Sequence, residues 1–213
     1  MGTFKFRIAM PVAIIATALA ALPAAAVDKK TALSADPAVV KAAIAATFKS
    51  APPEWQAKLV QDETQAICSQ YPNGLPDDLY QKVLAREAAT IVLPADGNVL
   101  GDWKNGQKLA QRGTGGQFSD KADTPKGGNC YACHQLSPKE LSYGSLGPSL
   151  LAYGKAKGYT PAEATAAYGK IYNAQSAVPC SNMPRFGHSK FLSEQELKDL
   201  TAYLFDPESP VNK

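Results

Sequence analysis

The pentapeptide Cys130-Tyr131-Ala132-Cys133-His134 constrains this chain more than any other feature. A two-residue spacer puts two thiols on one tight helical turn. Their separation is that of the two vinyl groups along one side of a porphyrin, to which thiols add. The next residue, His134, then falls under the ring and reaches the iron as an axial ligand. A paired-cysteine turn has other uses: a structural disulfide, half a zinc site, or a thioredoxin-like dithiol. Zinc requires a second Cys or His pair nearby, and the chain has only two histidines and four cysteines. Thioredoxin chemistry requires a βαβ pattern, and the periodicities here are helical. The motif is therefore read as the attachment site of one covalent haem.

The start of the chain agrees with that chemistry. Lys5 and Arg7 form a basic n-region, Ile8 to Leu22 is apolar and uncharged, and Ala24-Ala25-Ala26 supplies small residues. The three parts read as a secretory signal cut near Ala26. The apolar run is shorter than the roughly 20 residues of a membrane-spanning helix, which disfavours the alternative of an uncleaved anchor; no later segment is apolar enough to span, so no membrane span is expected after cleavage. The leader removes Lys5 and Arg7 and no acid, which takes the formal charge from +3 to +1. With no basic block, nucleic acid is not an expected partner.

Export places the cysteines in an oxidising compartment. With Cys130 and Cys133 committed to haem, Cys68 and Cys180 remain. A disulfide between them is the simplest reading; two free thiols, or a catalytic or metal-binding cysteine, are the alternatives. The sixth iron ligand follows from counting. Met1 and Met10 leave with the leader, so Met183 is the sole mature methionine. It sits in Pro179-Cys180-Ser181-Asn182-Met183-Pro184, off any apolar helix face, whereas a packing methionine more often lies on one. His188 is the competitor. Pro148 is a candidate to orient His134 through its carbonyl, or an ordinary turn proline.

The rest of the chain reads as helices. Asp36-Pro37 starts one with Val40, Ile44 and Phe48 on a face. Pro52-Pro53 starts a second, carrying Trp55, Leu59, Ala66 and Cys68. Asp77 to Ile91 is a third. Asp102 caps a helix to Arg112 with Trp103, Gly106 and Ala110 aligned. Thr160-Pro161-Ala162-Glu163 and Ser193-Glu194-Gln195-Glu196 open two more in capping-box form. Leu197, Leu200 and Leu204 share a face of the last, with Leu192 as its staple. Tyr153, Tyr168 and Tyr172 are candidates for the haem surroundings or for the core. No useful alternation of period two occurs. The expected fold is all-α: a signal at 1–26, a helical extension at 27–98 (polar and flexible over 27–36), and a haem domain at 99–213.

Residues 99–205 resemble a class I cytochrome c domain, through the capped first helix, CYACH, Gly147-Pro148, Met183-Pro184 and the closing amphipathic helix. In that fold the first and last helices cross, which here pairs the Gly106 face with the Leu200–Tyr203 face. Three segments resemble the SoxX family, the small subunit of the SoxAX cytochrome of bacterial thiosulfate oxidation. They are Gly128-Asn129-Cys130, Met183 to Gly187, and Leu192 to Leu197. Trp55, Asp62, Gln65 and Cys68 resemble the N-terminal extension of some members. The resemblance implies a periplasmic electron-transfer subunit paired with a SoxA-like cytochrome. It implies a SoxYZ-like carrier whose cysteine receives thiosulfate, and a small cytochrome c as acceptor. The sulfur chemistry, of the L-cysteine S-thiosulfotransferase type, would then belong to the partner. The alternatives are a diffusible cytochrome carrier, a haem subunit of another periplasmic oxidoreductase, and a peroxidase or gas-binding cytochrome with an open iron position.

Overall fold

The computed structural model describes residues 36–117, 119–121 and 123–213. The expected leader, 1–26, and the polar stretch 27–35 lie outside the described residues. Among those described there is no strand, and the chain is a set of helices joined by turns.

Helix α1 spans Pro37–Thr47 and is capped by Asp36, whose carboxylate accepts the Ala38 N–H at 2.8 Å. Among the described residues its apolar stripe is not buried: no residue of α1 is buried, and Val40 and Phe48 are both exposed. The expected second helix is divided. The short α2, Pro53–Gln56, runs into a 3-10 turn at Ala57–Leu59, and the chain extends at Val60. Asp62 then starts α3, Glu63–Gln70, with a full capping box. It accepts the Gln65 N–H at 2.8 Å, and the Gln65 side chain accepts the Asp62 N–H at 2.9 Å. That local bond competes with continued helix, because an N-cap residue has an extended backbone. Helix α4 spans Asp77–Ala88, ending one turn short of Ile91.

The C-terminal unit is built on α5, Trp103–Gln111, and on α8, Glu194–Phe205; between them lie α6, Tyr153–Ala156, and α7, Pro161–Tyr172. Asp102 caps α5 on the Lys104 N–H at 2.8 Å. Ser193 and Glu196 close the capping box that starts α8. In α7 only half of the box forms: Thr160 accepts the Glu163 N–H, while Glu163 turns to Lys157 at 3.1 Å.

Helices α5 and α8 pack closely at Gly106. A Cβ there would lie 2.0 Å from the Asp199 carbonyl oxygen and 2.8 Å from the Tyr203 Cβ. Only a residue without a side chain allows this approach. Asp199, itself buried, joins the helix ends by accepting the Asp102 N–H at 2.8 Å and the Gln195 amide at 2.8 Å. Helix α8 is buried almost all round from Leu197 to Phe205, not on one stripe alone. The reason is that α5, α6, α7 and the C-terminal turn Pro210–Asn212 all pack on it. Val211 is buried there, and Asn212 donates to the Leu204 and Asp206 carbonyls at 3.0 and 2.9 Å.

Gly106→Ala is expected to force the two helices apart and to lower stability by about 2 kcal/mol, the scale of core overpacking. The denaturant midpoint of the haem-loaded protein, followed by far-UV circular dichroism, measures it. An unchanged midpoint would mean that the crossing tolerates a methyl group.

Candidate haem site

Cys130–Ala132 forms a single 3-10 turn launched by Asn129, whose backbone is left-handed at φ 45°. Asparagine occupies that region more readily than most residues. The Cys133 and His134 N–H groups both donate to the Cys130 carbonyl, at 3.1 and 2.8 Å. The turn hangs from the end of α5. Gly128 donates to the Leu109 carbonyl at 2.9 Å and Asn129 to that of Arg112 at 3.0 Å. Tyr131 adds a tether: its hydroxyl lies 3.1 Å from that of Tyr203 on α8 and accepts from Gln111 of α5 at 3.3 Å. Burial raises the Tyr203 pKa well above its ordinary value, so this contact is between neutral phenols.

The following loop is laced back across the motif. Gly144 donates to Tyr131, Gly147 to Cys133 and Leu150 to Gln135, each at 2.8 Å. This brings Pro148 to His134, whose Nδ1 stands 2.7 Å from the Pro148 carbonyl oxygen. A carbonyl only accepts, so Nδ1 carries the proton and donates. That leaves the Nε2 lone pair free for a metal. Gly147 lies flat against the same ring: a Cβ there would sit 2.2 Å from His134 Cε1. The loop thus sets both tautomer and orientation, as partners of a metal-bound histidine do.

Cys130 and Cys133 are not bonded to each other. Burial pushes the Cys130 thiol up to about 12. An exchange-active dithiol needs the opposite shift. Among the described residues no group of three or more His, Cys, Asp or Glu is placed to hold a metal ion, so a zinc site lacks its ligands. Two thiols for a porphyrin edge and one oriented imidazole for iron fit a covalent haem. When bound, that group supplies reversible one-electron chemistry.

Met183 and Cys130 are both half-buried against the same apolar core, with Leu150, Tyr153 and Tyr172. Tyr153 sits edge-on to Phe205 at 5.6 Å, and Tyr168 is fully within the core. His188 donates its backbone N–H to the Tyr172 carbonyl at 3.1 Å.

Cys68 and Cys180 form a disulfide that joins α3 to the Met183 loop across 112 residues of sequence. A second bridge was not anticipated from sequence. Arg185 contacts the Asp62 carboxylate at 2.5 Å and the buried Glu87 at 3.4 Å. Glu87 also accepts from the Asn173 amide at 2.8 Å and from the Thr64 hydroxyl. Arg86 lies 3.6 Å from Glu87 and 2.5 Å from Glu63. One signal for this network was legible: Glu87 falls in register with Tyr80, Val83, Leu84 and Ile91, a charge on an apolar helix face. Burial opposes ionisation of Glu87, but Asn173, Thr64 and Arg185 outweigh it and hold its carboxyl below the ordinary value of 4.5. Burial likewise opposes ionisation of Asp62. The Gln65 N–H, Arg185 and His188 hold it below 3.8.

Residues 102–206 match the family described as cytochrome c. A relative in Aquifex aeolicus (strain VF5), described as an uncharacterized lipoprotein, is 42% identical over 161 residues. The alignment covers 74% of this chain and 76% of the relative. It is longer than everything from residue 102 to the C-terminus, so it takes in part of the extension.

Two outcomes follow from the geometry. Gly147→Val should displace the His134 ring and lower the fraction of chains recovered with haem, on the order of tenfold for a disturbed metal-orienting contact. Haem absorbance per polypeptide measures this, and normal loading would refute the positioning role of the loop. Because the folded pKa values of Asp62 and Glu87 lie below the unfolded ones, their contribution to stability is complete above about pH 4.5. It is lost as pH falls through the folded values. Denaturant midpoints from pH 6 to pH 3, on the order of that window, should fall less steeply in Asp62→Asn than in the parent.

Proposed function

The chain belongs to the cytochrome c family, with covalently attached haem c and an electron-transfer role, and from that premise we propose that it is the electron-transfer subunit of a SoxAX-type thiosulfate-oxidising cytochrome. In this reading Cys130 and Cys133 hold one haem by thioether bonds, and His134 and Met183 are the axial ligands. A neutral thioether opposite imidazole raises the reduction potential and leaves no position for O₂ or peroxide. Thiosulfate is joined to the cysteine of a SoxYZ-like carrier by a SoxA-like partner, with release of two electrons. The present chain accepts them singly and passes them to a small cytochrome c.

The observation that carries the subunit reading is the extension. It is bonded covalently and through Arg185 to the loop of Met183. A diffusible carrier needs only the haem domain. Shared sequence with the relative reaches into the same segment, which supports a role there. Leu141, Tyr143 and Leu146 are exposed on the loop that crosses the motif. Grouped large side chains of this kind mark contact surfaces. Periplasmic export is supported by the leader pattern, by the Cys68–Cys180 disulfide, and by the relative's description as a lipoprotein. Among the described residues no helix is long and apolar enough to cross a membrane.

Affinity capture of the tagged full chain from the periplasm of thiosulfate-grown cells tests the proposal. It should recover a second haem protein and a small thiol-bearing carrier. Recovery of the chain alone would reject the subunit and leave a diffusible cytochrome. Met183→Ala should abolish the charge-transfer absorption of ferric iron bound by thioether sulfur. It should also let the ferrous protein bind carbon monoxide rapidly.

A further inference from the structure

The sixth-ligand loop is held from outside the haem domain, and it is held on both sides of the methionine. Before Met183, Cys180 is bonded to Cys68 of α3. Its backbone is left-handed at φ 62°, a conformation that costs a non-glycine residue energy and persists when surroundings enforce it. Gln175 adds a contact there, accepting the Cys180 N–H at 3.3 Å. After Met183, Arg185 spreads its guanidinium between Asp62, the N-cap of α3, and Glu87 on α4. Between the two grips the loop is held by short-range bonds: Ser181 N–H to the Val178 carbonyl and Met183 N–H to the Ser181 hydroxyl, both at 3.1 Å.

We propose that the N-terminal extension is a clamp on the axial-ligand loop. In this clamp Cys68, Cys180, Asp62 and Arg185 are positioning residues that govern how readily the Met183 thioether leaves the iron. This rests on the reading of Met183 as the sixth ligand. The physical argument is one of loop entropy. A Pro- and Ser-containing loop without regular secondary structure samples many conformations, and each fixed point removes some of them. Two fixed points three residues before and two residues after the sulfur donor leave it little room to swing away. Among the described residues of the extension the buried aliphatic side chains are Leu75 and Val83, and neither belongs to the main core. Its principal attachment to the haem domain is at this loop and at the turn Ala174–Ser176 that leads into it.

The test uses the full-length, haem-loaded protein. Asp62→Asn keeps the helix cap, since Asn caps as well as Asp, but removes the ion pair to Arg185. The double variant C68S/C180S removes the covalent grip. Asp78→Asn, which breaks the exposed Lys82–Asp78 pair on α4 outside the Glu87 network, is the control for general loosening. The readouts are the thioether-to-ferric-iron charge-transfer band and the rate of carbon monoxide binding to the ferrous protein. Asp62→Asn should speed carbon monoxide binding about tenfold, the effect of losing one charge-assisted hydrogen bond. C68S/C180S should speed it further, and Asp78→Asn should leave it at the parent rate. If the variants lower only the unfolding midpoint while band and rate stay at parent values, the clamp is refuted and the extension is a stability element. Equal acceleration in Asp78→Asn also refutes it. A parent protein that lacks the band and binds carbon monoxide at once would instead overturn Met183 ligation, and the clamp with it.

Discussion

The close approach of α5 to α8 at Gly106 is the constraint on which the haem site depends. The Asp199 carbonyl occupies the space a side chain would need. From that contact the position of the motif turn follows. The end of α5 supplies the carbonyls of Leu109 and Arg112 from which the turn hangs, and α8 supplies Tyr203, which tethers Tyr131. The loop at Gly147-Pro148 then needs only short backbone bonds to the motif to lie on the imidazole. Moving either helix by an ångström would move the thiols and the imidazole together, because all three are carried on one turn.

A different kind of interaction joins the extension to this frame. The haem domain is held by apolar burial around α8, whereas the extension is held by one disulfide and by a buried network around Glu87. These means are directional. Apolar packing tolerates sliding, while a disulfide and a two-carboxylate fork define a single register. Breaking one partner of such a network strands a buried charge, at a cost of about 3–5 kcal/mol. The attachment is therefore specific as well as strong. It falls beside the methionine and not at random over the surface.

That arrangement bears on function. Haem c on a cytochrome c domain moves electrons. On the proposed reading, in which Met183 closes the iron, an added segment attached at its loop suits a subunit that leaves bond-making to a partner. The exposed apolar residues Leu141 and Leu146 lie on the loop that follows the motif.

Much of this was legible in the order of residues, and the division has a physical basis. The haem motif, the caps at Asp36, Asp102 and Ser193 and the stripe on α5 depend on neighbours within a few positions. Spacing along the chain reports such neighbours directly. The break at Asp62 is also local: its capping box with Gln65 outweighs the apolar pattern that runs on beyond it. Other features were decided by the tertiary structure. Among the described residues no surface buries the stripe of α1, and nothing in a stripe says what it meets. Arg185 reaches Asp62 and Glu87, more than ninety positions away, because the extension folds back on the ligand loop. The sequence alone named a haem turn and one remaining methionine. What surrounds that methionine on both sides could be decided only when distant segments met, since a charge and its partner share no spacing along the chain.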